Sequence, residues 1–185
     1  MKTLFRRLAV LAFVCVALPG GYLADLQMRG NFHPVVAGVA YRSAQPTAED
    51  LIRWANMAGL HSVINLRGAH DGTPWYDEEI AASATLGLAH YDFAMSANEP
   101  LEPERAARLI ALLRTAPKPV LIHCMSGADR TGLASALLLA DLDHDEDAAE
   151  RQTSFRYGHI SIPHTAAWPM DQSWEALEGQ LGFSS

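Results

Sequence analysis

Residues 120–132 constrain this chain more than any other stretch. They read Val-Leu-Ile-His-Cys-Met-Ser-Gly-Ala-Asp-Arg-Thr-Gly, and an Ala/Leu-rich run, residues 133–142, follows. A short apolar run bounded by a glycine-containing turn reads as a buried strand, and the longer run behind it as a helix. The pattern is strand, tight loop, helix. It puts a thiol, Cys124, where the strand ends and a guanidinium, Arg130, where the helix begins, with five residues between them.

A loop that enters a helix N-terminus aims several backbone N–H groups at one point, and the helix dipole adds positive charge there. The N–H groups of Met125, Ser126, Gly127, Ala128, Asp129 and Arg130 are expected to form such an anion-binding nest. Arg130 offers a planar fork that fits two phosphate oxygens at once. Positive surroundings of this kind favour the thiolate, the attacking form of a cysteine. A lone cysteine would read as an inert core residue. Cys, Gly, Arg and Thr at these spacings read instead as a nucleophile held beneath a cradled phosphorus.

The rest of the chain alternates short apolar runs with helical stripes. Residues 35–42 have strand-like alternation. Thr47 is a candidate N-cap for a helix bearing Leu51, Ile52, Trp54, Ala55 and Ala58 on its stripe and ending at Gly59. Further strands are predicted over 62–66, 88–93 and 120–123. Helices are predicted over 75–86, with Ile80, Ala81 and Ala84 inward, and over 104–114. The cluster Asp143-His144-Asp145-Glu146-Asp147 reads as a turn and the start of a helix running to Tyr157. A last helix is predicted over 168–181, with Trp174, Leu177 and Leu181 on one face.

This alternation predicts an α/β fold, a central, mostly parallel sheet of four to five strands flanked by helices, in a single domain spanning residues 31–185. Ligands of such sheets bind beyond the carboxyl ends of the strands. The topology puts Cys124, residues 67–71 and residues 95–100 there.

Residues 1–30 have a different character. Lys2, Arg6 and Arg7 precede an unbroken apolar run from Leu8 to Leu18, which Pro19-Gly20-Gly21 is expected to break. Basic residues followed by an apolar stretch form an export signal peptide or an N-terminal membrane anchor. The expectation is a domain that is exported, periplasmic or anchored to the inner membrane. Tyr22 and Leu23 spoil the obvious cleavage position before Asp25. The formal net charge of −7, with no basic run, argues against nucleic acid as a partner. The two cysteines, Cys15 and Cys124, leave no structural disulfide to form within the exported part.

His123-Cys124, five residues, then Arg130-Thr131-Gly132 resembles the phosphate-binding loop of the cysteine-dependent protein tyrosine and dual-specificity phosphatases. Tyr41-Arg42-Ser43-Ala44-Gln45-Pro46 and Gly59-Leu60-His61-Ser62-Val63-Ile64-Asn65-Leu66-Arg67 are similar to the start of the compact atypical dual-specificity phosphatases of bacteria, fungi and plants. Together these stretches cover residues 32–142. The resemblance implies hydrolysis of phosphate monoesters through a phosphocysteine. Cys124 would be the nucleophile, Arg130 the clamp on the transition state, and Thr131 the hydroxyl that helps the thiolate leave. The implied substrates are phosphotyrosine, phosphoserine or phosphothreonine proteins, with phosphoinositides or inositol phosphates as the alternative. No cofactor or metal is implied, and membrane association would come only through the N-terminal segment.

The proton donor is less determined. Such phosphatases usually take it from an Asp upstream of the Cys. Asp92 ends the strand before the relevant loop, and Glu99 lies on that loop. Asp129 lies inside the phosphate loop, where Asp-Arg-Thr resembles phosphatases of phosphoinositides. Asp129 and Asp92 rank equally, ahead of Glu99. Arg67 and Glu99 are candidate substrate contacts. His123 is expected to orient the loop, and Arg42 to brace the first helix of the domain. Two other uses of a loop cysteine fit less well. Sulfur-transfer loops are usually one residue shorter, and arsenate reduction usually needs further cysteines. An inactive phosphate-binding module would be expected to lack Cys124 or Arg130.

Overall fold

The computed structural model describes residues 2–143 and 145–183. Its centre is a five-stranded sheet in the order β1-β2-β5-β3-β4. β1 (His33–Val36) runs antiparallel to β2 (Ala40–Ser43). β2, β5 (Val120–His123), β3 (Ser62–Asn65) and β4 (Ala89–Asp92) are mutually parallel. Every residue of β5 is buried, because β5 has a strand on each edge and helices over each face.

Successive strand residues point to opposite faces, and this divides the core in two. Val63 and Leu121 pack with Leu51, Trp54 and Ala82 from α2 (Ala48–Ala58) and α3 (Pro74–Leu86). Ile64 and Ile122 pack with residues of α4 (Pro103–Thr115), α5 (Asp129–Asp143) and α7 (Trp168–Glu178). The parallel register sets Ser43 and Asn65 level with His123, and Asp92 level with Asn65. Four strands therefore deliver their carboxyl ends to one edge, where residues 44–45, 66–67, 93–95 and 124 emerge.

Local signals account for several boundaries. The Thr47 hydroxyl accepts from the Asp50 amide at 3.1 Å while Asp50 reaches back to Thr47, a capping box that starts α2. Gly59 ends it with φ of +64°.

Four expectations need correction. α1 (Lys2–Met28) runs unbroken through Pro19-Gly20-Gly21, because an exposed helix can bend past a proline with no packing around it to be disrupted. α3 turns Tyr76, Glu79, Ala82 and Ser83 inward, whereas Ile80, Ala81 and Ala84 are exposed. Its inward face carries Glu79 at its centre, and the partners of that carboxylate compensate for burying it. The helix begun by the acidic cluster is brief. Asp145 caps α6 (Glu146–Glu150) by accepting from the Ala148 amide, and a separate 3-10 turn, Phe155–Tyr157, ends at Gly158. His144 of that cluster lies outside the described residues. The last predicted helix is likewise α7 followed by a 3-10 turn, Gly179–Leu181.

Candidate active site

The loop from Cys124 to Arg130 joins the end of β5 to the first turn of α5. Cys124 is buried at the carboxyl edge of the sheet. Gly127 has φ of +71°, and a Cβ there would stand 2.5 Å from the Ala44 nitrogen, so only glycine lets the loop lie against the strand beside it. Arg130 donates from its guanidinium to the Met95 carbonyl at 3.2 Å, which ties the start of α5 to the loop after β4. The Thr131 hydroxyl is buried with no hydrogen-bond partner among the described residues, an uncommitted donor directly behind Arg130.

Arg42 does not brace the first helix of the domain. It is fully buried, and it donates to the Gly127 and Ala128 carbonyls at 2.9 and 3.2 Å and to the backbone and side-chain carbonyls of Gln152 at 2.8 and 2.9 Å. The Tyr157 ring covers its guanidinium at 3.8 Å. Arg42 thus holds the loop after Cys124 from behind through the Gly127 and Ala128 carbonyls, while the Ala128 amide donates to the Ser126 hydroxyl at 3.4 Å. Burial lowers its pKa to about 10, which leaves it charged at neutral pH.

His123 is fixed in the core by a carboxylate. Its Nε2 lies 3.1 Å from Oε1 of Glu79, which also takes His90 Nε2 at 2.6 Å. The other Glu79 oxygen accepts from the Gln45 amide, and the Gln45 carbonyl accepts from Arg67 at 2.8 Å. One buried carboxylate therefore links His123, which precedes Cys124, through Gln45 to Arg67. Burial pushes the Glu79 carboxyl up, but the charge and hydrogen bond of His123, with the bonds from His90 and Gln45, outweigh it and hold it at about 2. The inward spacing of Tyr76, Glu79 and Ala82 is legible as i, i+3, i+6. Only the acid at its centre concealed it.

Glu79→Gln is expected to lower stability at neutral pH by about 2 kcal/mol or more, since it removes a buried charge from two imidazoles. A carboxyl depressed in the fold stabilises above its ordinary 4.5 and loses that contribution as pH falls toward 2. The gap between wild type and variant in thermal unfolding should therefore be full at pH 6 and close between about pH 4.5 and pH 2. A gap that does not change with pH would contradict this.

Asp129 and Asp92 have different surroundings. Asp129 accepts from Nδ1 of His159 at 2.8 Å, and His159 Nε2 lies 3.1 Å from both oxygens of Asp171 on α7. An imidazole between two acceptors needs both ring protons, so this unit carries one proton beyond neutral His. Burial works against that charge, but the bonds to Asp129 and Asp171 prevail and raise the His159 pKa. The His159 side chain is wholly buried, whereas Asp129 keeps a third of its own exposed. Asp92 is committed at both oxygens, to the Asn65 amide at 2.8 Å and the Tyr76 hydroxyl at 2.5 Å. Sequence reasoning missed His159 because nothing marks an isolated histidine whose partners stand 30 positions before it and 12 after.

Arg67 lies over the Trp75 ring at 3.5 Å. Its pKa is lowered by burial and by the positive charge of Arg130, and the nearby Cys124 opposes the shift. It is therefore part of the same charged neighbourhood as the thiol and the loop arginine. Glu99 is exposed and lines a hollow of about 620 Å³ with Met95, Ser96 and Arg105. This hollow adjoins the Met95 carbonyl that holds Arg130.

A buried cysteine just past the central parallel strand, a loop whose glycine lies against the neighbouring strand and an arginine opening the next helix are the parts of a cysteine-dependent phosphatase. A family profile described as tyrosine phosphatase family matches residues 22–152, and the chain belongs to that family. No curated protein matches the sequence. Solved structures share the fold. TpbA of P. aeruginosa, solved in complex with phosphotyrosine, is 17% identical with a TM-score of 0.62, covering 84% of this chain and 92% of its own. The core catalytic domain of the PP-IP phosphatase SIW14 from S. cerevisiae is 21% identical with a TM-score of 0.55, covering 82% and 93%. PTPMT1 is 15% identical with a TM-score of 0.57, covering 82% and 98%.

Proposed function

We propose that the chain hydrolyses phosphate monoesters in two steps through a phosphocysteine. The Cys124 thiolate attacks phosphorus, forming the S–P bond as the P–O bond to the leaving group breaks. Water then attacks phosphorus and releases phosphate and the thiolate. Arg130 and the loop amides bind the equatorial oxygens, where charge is spread in the transition state. Thr131 donates to the departing sulfur, and Arg67 binds substrate at the pocket edge. Phosphorylated side chains of proteins and phosphorylated inositol headgroups both present such a monoester. The observation that carries the reading is the buried Cys124 at the start of a loop whose back Arg42 holds and whose end Arg130 closes.

Asp129 is the proton donor in this reading, with His159 and Asp171 behind it. A lone carboxyl surrenders its proton well below neutral pH. Because His159 titrates above its ordinary 6.5, the three-residue unit keeps its extra proton near neutrality and can pass it to a leaving oxygen. Asp129→Asn is expected to lower kcat about 10²-fold on phenyl phosphate, whose leaving group needs a proton, and far less on p-nitrophenyl phosphate. His159→Gln should move the alkaline limb of the phenyl phosphate profile to lower pH. Equal losses on both esters with an unmoved limb would transfer the role to Asp92 or Glu99.

The N-terminal segment fits export or anchoring. α1 is long and apolar enough to cross a membrane, with none of its apolar window buried. Lys2, Arg6 and Arg7 would stay in the cytoplasm, which puts the catalytic domain on the far side.

A further inference from the structure

α1 does not end in a free linker. Tyr22 packs its ring at a tilt against Phe155 with centroids 5.7 Å apart, and its hydroxyl donates to the Arg156 carbonyl at 2.6 Å. Leu26 is buried. The Gln27 amide beside it donates to the Ser126 carbonyl at 3.0 Å, and the Asn31 amide donates to the same oxygen at 3.1 Å. Ser126 belongs to the phosphate loop. The end of the apolar helix is thus bonded directly to the catalytic loop, with no tether between.

This fixes a depth. After Arg7 the next ionised residue is Asp25, so a bilayer's hydrocarbon ends just before it. Gln27 is two residues further, about 3 Å along a helix axis. The headgroup layer beyond the hydrocarbon is about 5–7 Å thick on each side. The phosphate loop therefore lies at headgroup depth whenever α1 spans a membrane. The neighbouring surface suits that position. Phe155 is 43% exposed at the level of Tyr22, Met125 is 64% exposed within the loop, and Ile160 is 41% exposed just past Gly158, which itself approaches Leu23 and Leu26. Aromatic side chains at this level are the residues a membrane interface favours.

We propose that α1 is retained as an anchor that seats the phosphate loop in the headgroup layer, and that the substrate is a phosphate monoester carried on a membrane lipid. This rests on the phosphatase reading. Lipid phosphates already lie at the depth of the loop, whereas a phosphorylated protein side chain would have to be pushed down into that layer to reach Cys124.

The test uses the full chain reconstituted in phosphatidylcholine vesicles containing phosphatidic acid, with a phosphotyrosine peptide and p-nitrophenyl phosphate as soluble probes. Phosphatidic acid should be turned over at least about tenfold better than the peptide. Phe155→Glu should lower lipid turnover about tenfold while leaving p-nitrophenyl phosphate turnover unchanged, with Phe155→Trp restoring it. The chain recovered from membranes should have the mass of a protein that retains residues 2–21. A chain cleaved before Tyr22, a preference for the peptide, or equal loss on both substrates in Phe155→Glu would overturn the proposal. Turnover of p-nitrophenyl phosphate without turnover of vesicle lipid would remove this inference alone. Failure on every ester would remove the phosphatase reading and this inference with it.

Discussion

Cys124→Ser is expected to abolish hydrolysis of p-nitrophenyl phosphate, by about 10³-fold or more, while the protein folds and melts as the wild type does. The substitution exchanges one small group for another at a buried position and touches none of the bonds that hold the loop. The Gly127 and Ala128 carbonyls still accept from Arg42, and Arg130 still donates to Met95. What is lost is nucleophilicity, because a serine hydroxyl in the same place is not ionised near neutral pH. The fork of Arg130 and the loop amides remain, so the variant should still bind phosphate esters. Turnover near the wild-type rate in Cys124→Ser would mean that the sulfur does not react.

Arg42→Met should have the opposite profile, a large loss of stability that carries activity down with it. The methionine fills much of the volume but gives nothing to the four carbonyl acceptors that Arg42 serves, on Gly127, Ala128 and Gln152, and it loses the stacking on Tyr157. Breaking a fully buried charged network costs about 3–5 kcal/mol. The Gly127 carbonyl, released, would turn toward water and carry the Ala128 amide on the same peptide plane with it. A misplacement of about 1 Å can cost 10²-fold in rate. Arg42→Lys should rescue little, because one ammonium cannot reach Gly127 and Gln152 together. Urea unfolding of Arg42→Met that matches the wild type would show that the loop supports itself.

The contrast between these variants explains what the sequence made legible. Cys124, Arg130 and the glycine between them are separated by a fixed, short distance along one strand–loop–helix, so their spacing puts them on one loop. The parallel sheet followed from alternation, and β5 proved central, as the apolar run Val120-Leu121-Ile122 implied. The supports were not legible in the same way. Arg42 reaches the loop across 85 residues, Glu79 reaches His123 across 44, and His159 reaches Asp129 across 30. Each is a polar residue in the core, where pattern reading expects an apolar one. α3 was misread for that reason, its inward face organised by a carboxylate and two imidazoles rather than by Ile80. The single proline that should have broken α1 fails to do so for a related reason. Nothing packs around it to decide the matter.

The most direct measurement is to mix enzyme and p-nitrophenyl phosphate, quench in acid within the first turnovers, and map the phosphate by peptide mass spectrometry. The mechanism argued from this structure places one phosphoryl group on the sulfur of Cys124 and none in Cys124→Ser. Phosphate found on a histidine or serine instead, or substrate consumed with no covalent adduct at any time, would contradict it.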